Sequence, residues 1–187
     1  MSLNSLGYNI RLTVNGFKGT GKTTLIQTLF GNSLSQDLTV HLKEDFYSDK
    51  KVKQNIVESD GRNEAVTSWA HGVVIMVSTS SLISFMYAED FIIRAKEITL
   101  KNAPIVLVVN NKDELNRKVS LTDCIKLANK YDCKMYELSA QNDVKLVKEL
   151  FKDICIEIVS KTRRRSKTVK TCPVKKAPSI LRKMLTF

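Results

Sequence analysis

The sequence predicts a three-layer α/β fold, in which helices cover both faces of a mostly parallel, six-stranded sheet. Two short apolar runs, 72–78 and 104–110, have the composition of central parallel strands that are buried on both faces. Segments with helical spacing lie between them, over 85–100, and after them, over 144–158. Strands that alternate with helices along a chain favour a parallel sheet, because each connection must cross back over the sheet.

The other elements follow from local signals. Apolar residues alternate with polar ones over 10–14, which predicts a first strand with one buried face. A glycine-rich turn over 16–23 leads into a helix over 24–30, and Gly31 can end that helix. The same kinds of signal predict paired strands at 40–42 and 52–57, a helix from Ser120 through Tyr131, and a strand over 134–139.

Positive charge is concentrated at the C-terminal end of the chain. Residues 161–187 hold ten of the 30 basic residues and none of the 19 acidic ones, which leaves 1–160 with a net charge of +1. We therefore predict a globular domain over 1–160 and a flexible basic tail over 161–187. A globular domain that is close to neutral argues against DNA binding.

The sequence shows neither a membrane-spanning run nor a secretory signal, so we expect a cytoplasmic protein.

The cysteines and histidines do not have the spacing of a metal site or of a CxxC pair. In a reducing compartment this pattern predicts free or buried thiols rather than disulfides. The residues concerned are Cys124, Cys133, Cys155, Cys172, His41 and His71.

A phosphate-binding loop is predicted at Gly16-Phe-Lys-Gly-Thr-Gly-Lys-Thr23, which fits the pattern G-x-x-x-x-G-K-[ST]. Glycines let backbone N–H groups close around phosphate oxygens, and the next helix directs its positive end at the same anion. Lys22 is expected to reach the β- and γ-phosphates, and the Thr23 hydroxyl to bind Mg²⁺. A glycine-rich turn without a ligand is the alternative. The candidate phosphate-binding residues are Gly16, Lys18, Gly19, Thr20, Gly21, Lys22, Thr23 and Thr24.

Two further motifs lie at the ends of the next strands. Asn111-Lys-Asp-Glu114 resembles the guanine-recognition motif N-K-x-D, and Glu137-Leu-Ser-Ala-Gln141 resembles E-x-S-A-K. With the phosphate loop, these motifs over 8–160 resemble the Ras superfamily of small GTPases and imply its P-loop, Ras-like G domain. The basic tail ends without a prenylation cysteine and resembles the Ras-related estrogen-regulated growth inhibitor branch.

The resemblance implies a monomeric GTPase that binds GTP or GDP with Mg²⁺ and signals through effector and regulator proteins. Asn111 and Lys112 would frame the guanine, and Glu114 would accept its ring hydrogens. The backbone at Ser139 and Ala140 would meet the guanine oxygen. Glu114 stands where the family has an aspartate, so we expect guanine to bind with reduced affinity.

The metal-binding part of the pattern is altered. The resemblance implies a threonine that binds Mg²⁺, a role that Thr39 fills only if the loop is shorter than usual, since strict counting reaches His41. Glu58 occupies the slot of an aspartate and would hold Mg²⁺ through water. The candidate metal ligands are therefore Thr23, Thr39 and Glu58.

The catalytic part of the family pattern is altered as well. Gly61 keeps the backbone N–H that meets the γ-phosphate, whereas Arg62 replaces the glutamine that orients the attacking water. An arginine cannot accept a hydrogen bond from that water. Lys22, Gly61 and Arg62 are the candidate catalytic residues, and Lys18 would crowd an activating protein's arginine. We therefore expect slow GTP hydrolysis.

Other readings of the sequence stay open. A non-cycling pseudo-GTPase scaffold would keep the fold with eroded switch regions, whereas an ATP-dependent P-loop enzyme leaves the base motifs unexplained. The tail is either a solvated extension or an electrostatic attachment to an anionic plasma-membrane surface. RNA and nuclear factors are rival partners for its charge.

Overall fold

A computed structural model describes residues 7–31, 40–47, 50–100, 102–111 and 114–170, apart from the side chains at 114 and 164–170. The strands are β1 (Tyr8–Gly16), β2 (Val40–Tyr47), β3 (Lys50–Ser59), β4 (Gly72–Ser78), β5 (Ile105–Asn110) and β6 (Lys134–Leu138). The helices are α1 (Lys22–Phe30), α2 (Glu64–Trp69), α3 (Leu82–Ile98), α4 (Leu121–Lys130) and α5 (Val144–Lys170), with a short 3₁₀ helix at Glu114–Asn116.

The six strands form one sheet in the order β2-β3-β1-β4-β5-β6. β2 pairs antiparallel with β3, and every other neighbouring pair is parallel. The predicted α/β architecture is thus confirmed, including the paired strands on either side of residues 48–49. Because β1, β3, β4, β5 and β6 run in one direction, their carboxyl ends lie along a single edge of the sheet.

Helices cover both faces of the sheet, so β4 and β5 are buried throughout. Val74 and Met76 of β4 point into a core that α1 and α5 close, whereas Val73 and Ile75 point into a second core beneath α3 and α4. Alternate side chains of one strand therefore enter two different cores. This explains why these strands are continuous apolar runs in the sequence.

The prediction of a single buried face on β1 was wrong. Thr13 and Asn15, on the opposite face from the apolar residues, are also buried. The Thr13 hydroxyl donates to the side-chain oxygen of Asn15 at 2.7 Å, and the Asn15 amide donates to Thr67 of α2 at 3.3 Å. Polar side chains can lie inside this layer because they satisfy one another's hydrogen bonds.

Helix boundaries differ from the predicted ones where capping residues decide them. α1 begins at Lys22, two residues early, and α3 begins after Ser81, whose hydroxyl accepts a hydrogen bond from the Ser84 N–H. α2 was not predicted, because six residues are too few to show a helical period. α5 continues through Lys170, so the first ten residues of the predicted tail are helical. The division into 1–160 and 161–187 stays a prediction.

The three cysteines in the described part of the chain are free thiols, as expected. Burial raises the pKa of Cys124 to about 11 and that of Cys155 to about 12, so both thiols stay protonated at neutral pH. Cys172 lies outside the described residues.

No helix in the described segments is both long enough and apolar enough to cross a membrane.

Candidate nucleotide-binding site

The predicted motifs meet at the carboxyl edge of the sheet. β1 ends at Gly16, β3 at Ser59, β5 at Asn110 and β6 at Leu138. Each of these strand ends runs directly into one motif of the sequence: the phosphate loop, the segment with Gly61, and the two base motifs. This edge is where ligands bind in open α/β sheets.

The phosphate loop folds around the amino group of Lys22. Lys22 is 7% exposed, and its Nζ donates to the backbone oxygens of Gly16 at 3.0 Å and Phe17 at 3.2 Å. Burial lowers the pKa of Lys22, and the nearby charges of Glu58 and Asp60 oppose that shift. The amino group is thus held inside the loop, next to the place where phosphate oxygens would bind.

The first turn of α1 opens into the same loop. Its N-cap is Gly21, which has a left-handed conformation and no side chain with which to cap the helix. The amino end of a helix carries backbone N–H donors and a partial positive charge, a combination that binds anions. Lys18 and Gly19 lie exposed at the tip of the loop, and the Thr20 hydroxyl is turned inward, donating to the Phe17 oxygen at 2.9 Å.

Two of the predicted metal ligands lie in contact. The Thr23 hydroxyl donates to Glu58 Oε2 at 2.7 Å, and Glu58 Oε1 lies 3.7 Å from Lys22 Nζ. Oxygen donors suit Mg²⁺, which takes few ligands from a protein and completes its shell with phosphates and water. Among the described residues there is no cluster of three His, Cys, Asp or Glu side chains that could hold a metal ion. The residues present therefore fit a nucleotide-bound Mg²⁺.

The remaining metal candidate cannot be placed, because Thr39 lies outside the described residues. His41, which strict counting puts in the same slot, packs edge-on against Phe30 with ring centroids 5.9 Å apart. Phe30 is the last residue of α1, and Thr23 lies in its first turn. The structure therefore does not bring His41 to the metal candidates.

The segment after β3 is a tight turn held by its own side chains. The Gly61 N–H donates to the Ser59 hydroxyl at 3.2 Å, and the Arg62 N–H donates to Asp60 Oδ1 at 2.9 Å. Gly61 is buried with φ +81°, whereas Arg62 is exposed. The predicted catalytic residues are thus split, with Lys22 and Gly61 inside the site and Arg62 at its surface.

Asn110 ties three loops together, a role that sequence reasoning missed. It is 1% exposed, its amide Nδ2 donates to the Thr20 backbone oxygen at 2.8 Å, and its Oδ1 accepts the Ala140 N–H at 2.9 Å. This one side chain joins the phosphate loop to both base-motif loops. The neighbouring Asn111 has a different task, since its Oδ1 accepts from the Thr79 hydroxyl at 3.3 Å.

The position of Asn110 allows a second register for the first base motif. The prediction started the motif at Asn111 and so ended it at Glu114. A four-residue motif that starts at the bridging Asn110 reads Asn-Asn-Lys-Asp and ends at Asp113. Lys112 and Asp113 lie outside the described residues, as does the side chain of Glu114. The doubled asparagine was the signal in the sequence that two registers were possible.

The second base loop uses its backbone donors within the protein. The Ser139 N–H donates to Asp143 Oδ2 at 2.6 Å, and the Ala140 N–H donates to Asn110. Ser139 also accepts the Asn142 N–H at 3.3 Å. The loop is therefore pre-shaped, and a guanine oxygen that approached Ala140 would share a donor that Asn110 already engages.

An open cleft of about 780 Å³ lies beside these loops, between α1 and the start of α5. Thr24 of the phosphate-loop motif and Gln141 of the second base motif line it, together with Phe30, Lys43 and Lys148. Two other cavities, of about 640 and 310 Å³, lie at the amino end of β5, around Ala103 and Pro104. Neither contains a predicted site residue.

Comparison with known proteins shows the family of the chain. The sequence model of the Ras family matches residues 11–160. The chain is 27% identical to the Ras-related and estrogen-regulated growth inhibitor of Homo sapiens, over 95% of each chain. It is 25% identical to Ras-like protein family member 12 of Danio rerio, over 83% of this chain and 66% of that protein. It is 28% identical to the GTP-binding protein Di-Ras3 of Homo sapiens, over 75% of this chain and 67% of that protein.

Proposed function

Because the chain belongs to the Ras family, we propose that it binds GTP and GDP with Mg²⁺ and works as a signalling switch. The observation that carries the proposal is the bridge at Asn110, which connects the phosphate loop to both base-motif loops. A site that grips phosphates at one end and a base at the other needs these loops held at a fixed separation. The Asn110 amide provides that connection.

The phosphate end would use groups that are already in place. Lys22 would exchange its hydrogen bonds to Gly16 and Phe17 for phosphate oxygens, and the first turn of α1 would add backbone donors. Thr23 would ligate Mg²⁺ directly, and Glu58 would hold the ion through water. Mg²⁺ bound there would neutralise phosphate charge.

The base end would recognise guanine through a carboxylate. We assign that role to Asp113, because the motif that begins at Asn110 places an aspartate at its fourth position. Glu114 is the alternative from the register that begins at Asn111. Asp113→Asn and Glu114→Gln separate the two, since each keeps the size of the side chain and removes the charge. We expect Asp113→Asn to weaken fluorescent GDP binding by about tenfold or more, the cost of losing a charge-assisted hydrogen bond, and Glu114→Gln to change it little.

A non-cycling scaffold is the second candidate function. Arg62 favours it, because this residue is exposed, pairs through its backbone with Asp60, and cannot accept a hydrogen bond from an attacking water. A scaffold would bind its protein partners equally well in the GDP and GTP forms. A switch would bind an effector more tightly in one of them.

The basic tail would attach the protein to the cytoplasmic face of the plasma membrane. Each basic residue near an anionic lipid surface contributes about 1 kcal/mol, and residues 161–187 hold ten of them. Sedimentation with vesicles that contain phosphatidylserine would test this, with loss of binding expected at high salt. Binding to RNA instead of vesicles would contradict it.

The main test is a titration of nucleotide-free protein with fluorescent GDP and GTP, with and without Mg²⁺, and with unlabelled ATP as competitor. We expect guanine nucleotides to bind, Mg²⁺ to tighten binding, and ATP to compete poorly. Lys22→Ala should abolish binding, whereas Lys126→Ala, at an exposed lysine of α4 that belongs to none of the predicted motifs, should keep it. Absence of binding at micromolar nucleotide would contradict the proposal, and displacement by ATP would favour an ATP-dependent enzyme.

A further inference from the structure

Three aromatic rings connect the phosphate loop to the Gly61 turn. Phe17, the second residue of the loop, stacks on Tyr87 of α3 with ring centroids 5.4 Å apart and an interplanar angle of 13°. Tyr87 in turn stacks on Phe91, one helical turn further along α3, at 6.3 Å and 25°. Phe91 then packs against Gly61, where an added Cβ would lie 2.7 Å from its ring.

At the phosphate end, the stack holds the residue that shapes the loop. The backbone oxygen of Phe17 accepts hydrogen bonds from Lys22 Nζ at 3.2 Å and from the Thr20 hydroxyl at 2.9 Å. A displacement of Phe17 would move this oxygen away from both donors. Lys22 would then lose one of the two backbone partners that hold its amino group in the loop.

At the other end, the stack limits the position of Gly61. Gly61 is buried against the edge of the Phe91 ring, and its N–H donates to the Ser59 hydroxyl. If this N–H turns toward a γ-phosphate, as the family resemblance implies, the backbone turns while it is packed against the Phe91 ring. A shift of Phe91 would therefore change how easily Gly61 turns.

From this geometry we propose that Tyr87 is a positioning residue that couples the phosphate loop at Phe17 to the turn at Gly61, through Phe91. Its ring is the only one of the three that stacks on both of the others among the described ring contacts. A bound phosphate that ordered Phe17 would then also order Gly61. In the same way, ordering of Gly61 would order Phe17. The coupling follows from the contacts among these side chains alone. Its effect on the rate of nucleotide release rests on the proposed function.

The first test needs no nucleotide. Hydrogen–deuterium exchange of the full chain would be followed in the segment 58–69, which contains Gly61 and all of α2. We expect Phe17→Leu to raise exchange in this segment about three- to tenfold, the range that the loss of an aromatic pair gives, although residue 17 is more than 40 positions away. Unchanged exchange in 58–69 would overturn the proposal.

Variants at Tyr87 separate stacking from general destabilisation. Tyr87→Phe keeps the ring and should leave exchange in 58–69 within about twofold of the wild type, since the stacked pair is retained. Tyr87→Leu removes the ring and should match Phe17→Leu. Phe30→Leu is the control, since Phe30 is also half-buried on α1 but contacts His41 instead of α3. Equal exchange in all four variants would overturn the proposal.

A second test measures coupling in the nucleotide-bound protein. The release rate of fluorescent GDP would be compared for Phe17→Leu, Phe91→Leu and the double variant. We expect the two effects to deviate from additivity by about threefold or more, because residues that share a contact do not act independently, and to become additive when Tyr87 is leucine. Additivity in both backgrounds would contradict the coupling. If the wild type binds no GDP, the proposed function fails while the exchange experiment still decides the inference.

Discussion

The side-chain amide of Asn110 donates to the backbone oxygen of Thr20 at 2.8 Å, across 90 positions of the sequence. The same side chain accepts the N–H of Ala140 at 2.9 Å. Two backbone groups from different loops, both screened from water, thus depend on one buried residue. Asn110 therefore fixes the phosphate loop and the second base loop relative to each other.

We predict that Asn110→Ala lowers the free energy of unfolding by roughly 2–4 kcal/mol, because each buried polar group left without a partner costs about 1–3 kcal/mol. Urea unfolding would measure this. Asn142→Ala is the control, since Asn142 is an exposed asparagine after the second base motif, and it should change the free energy of unfolding by at most about 0.5 kcal/mol. Equal costs for the two variants would mean that Asn110 is not the bridging residue.

A second prediction compares two glycines with the same backbone angle φ. Gly19 and Gly61 both have φ +81°, but an added Cβ meets nothing within 4 Å at Gly19 and meets Phe91 at Gly61. Gly19→Ala should lower the free energy of unfolding by about 1–2 kcal/mol, the strain of a left-handed backbone. Gly61→Ala should lower it by about 1–3 kcal/mol more, the usual penalty of overpacking. Thermal unfolding of both variants checks this, and Phe91→Ala should remove the difference.

The contact between Thr23 and Glu58 predicts how the site uses Mg²⁺. Glu58→Gln keeps an acceptor for the Thr23 hydroxyl but removes the charge that would hold the ion. We expect the Mg²⁺ concentration for half-maximal GTP binding to rise about 10- to 100-fold, the usual effect of changing an outer-shell group. Glu44→Gln, on the exposed side of β2, is the control. A normal Mg²⁺ requirement in Glu58→Gln would show that Glu58 takes no part.

The surface position of Arg62 predicts that GTP hydrolysis is slow and that one substitution can raise its rate. Arg62→Gln supplies an acceptor for the attacking water, and we expect single-turnover GTP hydrolysis to speed up, by at most about a hundredfold, the low end for a positioned proton-transfer group. Ser68→Gln, also exposed but on α2, should have no effect. Fast hydrolysis in the wild type would contradict the prediction directly.

Acid should weaken the fold through His71. Burial and the nearby charge of Arg11 lower the pKa of His71, whose Nδ1 accepts the Arg11 backbone N–H at 3.3 Å. The unfolded chain therefore binds a proton more readily than the folded protein. Stability from this source is present above the ordinary histidine pKa and is lost as the pH falls below it. His71→Gln should flatten the dependence of unfolding free energy on pH below the ordinary histidine pKa of about 6.5, and urea unfolding at a series of pH values would measure this.

The fold could be predicted because its signals are local. The buried strands β4 and β5 are visible as apolar runs, and the order of strands and helices restricts the topology. The polar interior of β1 could not be predicted, since the hydrogen bonds of Thr13 and Asn15 are completed by Thr67 of α2, more than 50 positions away. Tertiary contact, rather than the composition of the strand, decides which of its faces is covered.

The site could be predicted in part for the same reason. Lys22, Thr23 and Glu58 come together as expected, because the phosphate loop and the end of β3 are neighbours in a parallel sheet. The role of Asn110 depends on contacts with residues 20 and 140, which no local pattern contains. The stack of Phe17 on Tyr87 is likewise invisible in the sequence, where 70 positions separate the two rings.

The unbroken course of α5 has a mechanical consequence. Its 27 residues make a rod about 40 Å long, since each residue adds about 1.5 Å. Its first half is packed under the sheet by Val147, Phe151 and Ile154, and its second half leads to residue 170 without a hinge. A partner that bound the C-terminal end of α5 would therefore fix the orientation of the carboxyl edge of the sheet relative to that partner, as well as its distance from the partner.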